Sequence, residues 1–245
     1  MIKFLKNLLN FEHTLLFIGI RGSLAHRETT DISDIDLILS YMINPKIYFQ
    51  LSVPKRIRKG REVKYNNIDI VKYEFKKLIK LASESNPNVL PYLFADESCF
   101  IYVHEEFKKF LYLESFLSKK IHITHSGYAK GQLKRMLKPS HGMSENRRKY
   151  FETHGYDIKN AAVCCRILQI AIRLFEENIY NPVPYDINTV MDIKAGKFSL
   201  AECSKYIEDL LLREQKAFES NTYLPEKPDL NYINELVLKT FERFI

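Results

Sequence analysis

The sequence predicts an α+β protein in which an N-terminal α/β unit with a small mixed sheet precedes a helical unit. Short runs with strand character alternate with helical ones in the first half, and strand signals fade after about residue 115. Long helical patterns then take over. A chain of 245 residues is long enough for one large domain or two small ones. We therefore expect a first domain over residues 1–118 and a helical domain over residues 119–245.

The predicted sheet begins with two apolar segments. Residues 14–20 are continuously apolar, which is typical of a buried strand. Residues 34–40 alternate at first and then become apolar, so they predict a second strand that is partly covered. Residues 61–65 and 68–73 flank two asparagines that tolerate positive φ, and this pattern predicts a hairpin.

Helical spacing of apolar residues predicts the remaining elements. One helix starts near Phe75 and ends at Asn86 and Pro87, which break it. In another, Ser199 and Glu202 form a capping box that satisfies the exposed amides of the first turn. The later helices are predicted over residues 122–137, 157–178, 200–218 and 232–244.

Composition excludes several classes of protein. Hydrophobic residues make up 46%, and apolar runs such as residues 14–20 are much shorter than the roughly 20 residues of a membrane helix. The 4 cysteines have no spacing that suggests a disulfide framework or zinc, which favours a reducing cytoplasm. The net charge of +7 favours a polyanionic partner. We expect a cytoplasmic protein without a membrane span.

Two acidic residues on the second predicted strand form the sharpest local feature. Asp34 and Asp36 are two residues apart, so on a strand their carboxylates project from the same face. Two like charges at close range repel each other, and a divalent cation with oxygen ligands offsets this repulsion. The pair therefore predicts a site for Mg²⁺ or Mn²⁺.

A Gly-Ser turn precedes the acidic pair. Gly22 allows a ligand to approach the backbone closely, and the Ser23 hydroxyl with the following amides suits phosphate oxygens. Together with the acids, this predicts a site that aligns a nucleoside triphosphate for attack by a hydroxyl. A third carboxylate is expected, and Asp69 is the first candidate because it alternates on a later strand. Glu62 is the second candidate.

These residues resemble a known family. Gly22 and Ser23, followed by residues 33–36, are similar to the signature of the DNA polymerase β nucleotidyltransferase superfamily. Within it, the chain resembles the YcgL-like group of predicted nucleotidyltransferases. Further matches to this group lie at residues 69–81, 86–90, 93–94, 127–135 and 155–166.

The resemblance implies an activity. It implies that residues 1–118 form a nucleotidyltransferase domain in which Asp34, Asp36 and Asp69 bind Mg²⁺ and catalyse transfer of a nucleoside monophosphate. Some members of the group are associated with RNA ligases in RNA repair, so RNA is the acceptor that the resemblance suggests.

The chain departs from the family pattern at five positions. After the Gly-Ser turn, where the family often has an aromatic residue and a glycine, it has His26 and Arg27. Pro91 replaces an acidic residue. Asn160 and Val163 replace two histidines of a long helix.

Basic residues of the helical half are candidates for binding the triphosphate. Lys130 and Arg135 are on one predicted helix, and Lys159 and Arg166 are seven apart on the next. A solvated basic surface is the alternative interpretation. A further basic run over residues 56–64 is either a nucleic-acid contact or a solvated loop.

The sequence thus predicts an Mg²⁺-dependent (or Mn²⁺-dependent) nucleotidyltransferase that acts on a nucleoside triphosphate and a hydroxyl acceptor, with an RNA end as the preferred acceptor. One alternative is a non-catalytic nucleotide-binding or antitoxin-like module. The other is a HEPN-like ribonuclease that uses Arg148 and His154, which match a short element of that family.

Overall fold

The computed structural model describes residues 13–29, 34–48, 51, 61–65, 68–138 and 145–245. The chain divides into two compact units, of which the first is Met1–Leu117 together with Pro228–Ile245 and the second is Ser118–Lys227. The domains predicted over residues 1–118 and 119–245 stay a prediction. The structure adds that the last part of the chain is grouped with the first unit.

A five-stranded mixed sheet forms the centre of the first unit. Its strands are β1 (His13–Arg21), β2 (Ile35–Ile43), β3 (Arg61–Tyr65), β4 (Ile68–Glu74) and β5 (Phe100–Val103). Their order across the sheet is β3-β4-β2-β1-β5. Strands β2 and β4 are parallel, whereas the other neighbours are antiparallel. The predicted α+β class with a mixed sheet is confirmed. Strand β5 was not predicted, because four residues are too few for a clear alternation.

Short helices connect the strands of this unit. They are α1 (Gly22–Ala25), α2 (Pro45–Tyr48), α3 (Phe75–Ser83) and α4 (Leu90–Leu93). Helix α3 begins directly after β4 because the Glu74 carboxylate accepts hydrogen bonds from the amides of Lys76, at 3.0 Å, and Lys77, at 3.2 Å. The predicted turn between residues 65 and 68 lies outside the described residues.

The two faces of the sheet pack against different side chains. Leu37, Leu39 and Ile18 belong to an aliphatic cluster on one face. Phe17 projects to the opposite face, since successive strand residues alternate, and stacks on Phe107 at 5.0 Å between ring centroids. The face that carries Phe17 therefore also carries every second residue of β1 up to its end.

The second unit is helical. It contains α5 (Gly127–Leu137), α6 (Glu145–His154), α7 (Ile158–Glu177), α8 (Ile187–Lys194) and α9 (Leu200–Ser220). A π-helical turn, His122–Ser126, leads into α5. Helix α7 supplies half of the buried residues of the core cluster, including Cys164, Cys165 and Leu168. The predicted capping box at the start of α9 is present. Among the helices of the described residues, none is both long and apolar enough to cross a membrane.

The last helix, α10 (Leu230–Glu242), returns to the first unit. The ring of Phe241 contacts that of Phe75 edge to face, with 5.8 Å between centroids. The amide of Asp229 donates to the carbonyl of Ser115 at 3.1 Å. The two points at which the chain leaves and re-enters the first unit are thus hydrogen-bonded to each other.

Candidate active site

Four charged residues form a row across one end of the sheet. Arg21 is the register partner of Asp36, Asp36 that of Asp69, and Asp69 that of Lys64. Register partners project from the same face of a sheet, so the four side chains are neighbours. The guanidinium Nη2 of Arg21 lies 3.5 Å from Oδ1 of Asp36, and Nζ of Lys64 lies 3.7 Å from Oδ1 of Asp69. Two adjacent carboxylates are therefore flanked by one cation on each side.

The negative charge of the Asp36 carboxylate is costly at this position. Burial raises the pKa of its carboxyl above the ordinary value. The nearby Arg21 opposes this rise, whereas the negative charges of Asp69 and Asp34 add to it. A further cation beside Asp36 and Asp69 would relieve this cost.

Gly22 makes room for Asp36. It adopts the left-handed region with φ of +67°, and a Cβ at this position would overlap Oδ2 of the Asp36 carboxylate. Its amide donates to the hydroxyl of Tyr92 at 3.4 Å. The glycine is therefore required by the position of the acid, in addition to any approach of a ligand.

Tyr92 and His26 form the buried floor beneath this turn. Tyr92 is 7% exposed and His26 is 2% exposed. Nε2 of His26 lies 3.5 Å from the Tyr92 hydroxyl, and the two rings are 5.6 Å apart. His26 thus packs a buried ring against Tyr92 beneath the Gly-Ser turn.

Arg27, which stands where the sequence resemblance implies a glycine, has an unusual backbone conformation. Its φ is +57°, in the left-handed region that glycine adopts without steric cost. Its side chain is 70% exposed and lies 3.9 Å from Asp96. Glycine would adopt this backbone conformation at position 27 without the steric cost that Arg27 bears.

The structure positions the other predicted site residues around this row. Asp34 is exposed directly before β2, and its charge acts on Asp36. Ser23 is half-buried in α1. Glu62 is exposed and opposite Val71, two register pairs further along the hairpin than Asp69. The geometry therefore favours Asp69 over Glu62 as the acid beside Asp36.

The donor set suits a hard cation. Among the described residues, no group of three or more His, Cys, Asp and Glu side chains is gathered as a metal centre. Asp36 and Asp69 nevertheless offer two carboxylates on one face. Mg²⁺ is commonly held by one or two carboxylates together with waters and substrate phosphates. The acid pair fits that mode of binding.

The predicted basic residues belong to the second unit. Lys130 and Arg135 are exposed on α5. On α7, Lys159 is exposed and Arg166 is half-buried. Residues seven apart share a helix face, so Lys159 and Arg166 point in similar directions. The four positions are thus placed on helices, and their role in binding stays a prediction.

The two family histidines are replaced by residues with structural contacts. Asn160 is 3% exposed, and its Nδ2 donates to the carboxylate of Asp157 at 3.1 Å. Nη1 of Arg147 donates to Oδ1 of Asn160 at 3.2 Å. Val163 packs against the helical core. These contacts stabilise the start of α7.

Arg148 and His154 lie on different sides of α6. Six residues correspond to about 120° around an α-helix. Arg148 is exposed, whereas the His154 ring fills the space that a Cβ at Gly196 would occupy. The structure does not bring these two side chains together.

Three residues that contact the site were not predicted as part of it, although Lys64 belongs to the basic run over residues 56–64. Lys64 follows from the spacing alone, since a two-residue connection pairs 65 with 68 and 64 with 69. Arg21 directly precedes the Gly-Ser turn and was identifiable as a charge at the end of an apolar strand. Tyr92 is 70 residues from Gly22, and no local signal marks it.

A mixed sheet with adjacent carboxylates beside a Gly-Ser turn defines a nucleotidyltransferase-like protein of the polymerase β type. The chain belongs to the RNA repair pathway DNA polymerase beta family, RlaP, whose model matches residues 3–243. The resemblance inferred from the sequence is confirmed. Members of the family generally use divalent metal ions, and the family suggests a nucleotide and a nucleic acid as substrates.

Among solved structures, the chain is similar to a nucleotidyltransferase-like protein from Exiguobacterium sibiricum 255-15. The identity is 10% and the TM-score 0.28, over 84% of this chain and 69% of that chain. A search of curated proteins found no match.

Proposed function

We propose that this protein is an Mg²⁺- or Mn²⁺-dependent nucleotidyltransferase. It transfers a nucleoside monophosphate from a nucleoside triphosphate, such as ATP, to a hydroxyl of an RNA end and releases pyrophosphate. A damaged or tRNA-like RNA end is the acceptor to test first. The four cysteines are buried and are not joined in disulfides, which supports a reducing cytoplasm as the compartment.

One observation carries the proposal. Asp36 and Asp69 are register partners on parallel strands, and Gly22 lies against the Asp36 carboxylate. Burial and neighbouring acids make the charge of Asp36 costly without a cation. Two adjacent carboxylates repel each other and so rarely stabilise a fold. They can, however, bind the divalent ion that assists a phosphoryl transfer.

The residues have separate tasks in the proposed reaction. Asp36, with Asp34, holds the divalent ion from the β2 side, and Asp69 completes the site from β4. When bound, the ion supplies positive charge that stabilises the phosphates and lowers the pKa of the acceptor hydroxyl. Asp69 orients that hydroxyl and accepts its proton. The hydroxyl oxygen bonds to the α-phosphorus, the bond from this phosphorus to the bridging oxygen breaks, and pyrophosphate leaves with the electron pair.

The second unit would contribute positive charge. We propose that Lys130, Arg135, Lys159 and Arg166 neutralise phosphates of the triphosphate or of the acceptor. Their exposed or half-buried positions on α5 and α7 leave them accessible to a ligand. The net charge of +7 supports a polyanionic ligand.

A label-transfer assay tests the proposal. The full chain is incubated with each ribonucleoside triphosphate labelled at the α-phosphorus, with Mg²⁺ or Mn²⁺, and with pooled cellular RNA. We expect label on RNA, and a loss of about a hundredfold or more in Asp36→Asn and Asp69→Asn. Asp96→Asn is the matched control, because this acid is in the same unit and caps a turn that asparagine also caps.

Two results would contradict the proposal. Unchanged labelling in both site variants would place the reaction elsewhere. Triphosphate binding without any transfer would favour the non-catalytic nucleotide-binding module instead.

A further inference from the structure

Arg21 is held at the site by an incomplete set of contacts. Its side chain is only 22% exposed, and Nη2 is 3.5 Å from the Asp36 carboxylate, which is a long, single contact. Its Nε is buried and makes no hydrogen bond within the described residues. A buried donor that makes no hydrogen bond is costly, so packing alone does not explain why Arg21 lies here.

Of the two flanking cations, Arg21 interacts more strongly with its neighbouring carboxylate than Lys64 does. Lys64 is 67% exposed beside an Asp69 side chain that is 42% exposed, and water screens such a pair. Arg21 and Asp36 are both largely buried, so the guanidinium acts on this carboxylate with little screening. The charge of the acid pair is therefore balanced mainly from the β1 side.

We propose that Arg21 is a positioning residue that serves as the internal counter-ion of Asp36 and makes metal binding depend on the triphosphate. The inference rests on the proposed function, since it takes Asp36 and Asp69 as metal ligands. Without nucleotide, the guanidinium of Arg21 pairs with the Asp36 carboxylate, and its positive charge repels the divalent metal ion. A triphosphate brings negative charge that compensates the guanidinium, so the metal then binds more tightly.

The coupling is reciprocal. If the triphosphate tightens metal binding by some factor, the metal tightens triphosphate binding by the same factor. Arg21 thereby disfavours a metal-loaded, nucleotide-free state. This separates its role from a purely structural one. If Arg21 only contributed packing, its replacement would lower the stability of the protein without raising its affinity for the metal ion.

Metal titration of the full chain, followed by thermal unfolding, tests the inference. Mn²⁺ is added with and without a non-hydrolysable triphosphate to wild type, Arg21→Met and Arg21→Lys. We expect Arg21→Met to unfold about 3 °C lower without metal. Its Mn²⁺ midpoint without nucleotide should be about threefold to tenfold lower than that of wild type. Arg21→Lys should restore the wild-type midpoint within about twofold.

The control is Arg243→Met, which removes another arginine of the first unit, 3.9 Å from Glu106, without touching the acids. Its Mn²⁺ midpoint should equal that of wild type. If Arg21→Met does not fold, Arg21→Gln replaces it, since glutamine is neutral and still donates to Asp36.

The outcomes separate the two proposals. If wild type binds Mn²⁺ in a manner that Asp36→Asn abolishes, but neutral variants of Arg21 show an unchanged or weaker affinity, the role of Arg21 is wrong and the metal site stands. If wild type shows no Asp36-dependent effect of Mn²⁺ under either condition, the metal site and the role of Arg21 both fail.

Discussion

Gly22 and Asp36 share one space at the end of β1. The carboxylate of Asp36 occupies the position that the Cβ of any other residue at 22 would take. The absence of a side chain at one residue therefore sets the position of the acid at the other. The Gly-Ser turn and the acid pair are one structural unit, although 13 residues lie between Gly22 and Asp36 in the sequence.

Replacing Gly22 by alanine should damage both stability and activity. The positive φ and the overlap with Asp36 together are expected to lower the free energy of unfolding by about 2 to 4 kcal/mol. Displacement of the carboxylate should lower nucleotidyl transfer by about a hundredfold. Chemical denaturation and the label-transfer assay measure the two effects.

Gly155→Ala is the control for backbone strain. Gly155 also has a positive φ, of +76°, but a Cβ there meets nothing within 4 Å. It should cost about 1 kcal/mol and leave transfer intact. Equal losses in the two variants would show that overlap with Asp36 plays no part.

Replacing Arg27 by glycine should stabilise the protein. Residue 27 has a φ of +57°, and glycine removes the steric cost of that conformation. The ion pair with Asp96 is highly exposed and contributes little. We expect a gain of about 1 kcal/mol in the free energy of unfolding. Arg27→Ala keeps the strain and loses the ion pair, so a gain of the same size in that variant would rule out the backbone explanation.

His125 should make the protein sensitive to acid. Complete burial lowers the pKa of this histidine from 6.5 to about 3, and its ring contacts the hydroxyls of Tyr180 and Thr124. The unfolded chain binds a proton at His125 below pH 6.5, whereas the folded protein does not. The stability is therefore fully present above pH 6.5 and falls as the pH decreases toward 3.

The expected loss is on the order of 2 kcal/mol between pH 6.5 and about pH 5. Urea unfolding at a series of pH values measures it. In His125→Gln this contribution should disappear, which makes the pH dependence shallower. Parallel curves for the two proteins would refute the assignment.

Lys159 should affect nucleotide binding more than turnover. If this exposed lysine of α7 contacts phosphate, Lys159→Met should raise the KM for the triphosphate by about tenfold and change kcat little. Lys205→Met removes another exposed lysine of the second unit, from α9, and should leave both constants unchanged. Equal effects of the two substitutions would indicate a general loss of positive surface charge.

Local patterns were sufficient to predict on which face of their strands Asp36 and Asp69 lie, whereas their pairing across β2 and β4 is a tertiary contact. The alternation of residues 34–36 and 68–70 restricts Asp36 and Asp69 to one face of their strands, and a two-residue connection sets the register of the hairpin. Glu202 at the third position after Ser199 likewise specifies a helix start through local hydrogen bonds. Features that depend on residues close together in the chain can thus be predicted from the sequence.

Features that depend on tertiary contacts were not. Tyr92 binds the Gly22 amide across 70 residues, and its segment shows only an apolar helical turn. How far Arg21 compensates the negative charge of Asp36 depends on the burial of both side chains, which the sequence does not show. The same holds for α10, whose amphipathic pattern predicts a helix but not the unit against which it packs.

The return of the chain to the first unit, marked by the hydrogen bond between Ser115 and Asp229, affects the order in which the protein can fold during synthesis. A ribosome makes the whole second unit before it makes α10, which supplies Phe241 to the packing around Phe75. The first unit therefore cannot complete its core until α10 has been synthesised, whereas the second unit emerges as one continuous segment. The unit that carries the acid pair therefore reaches its final form only after the whole second unit has been synthesised.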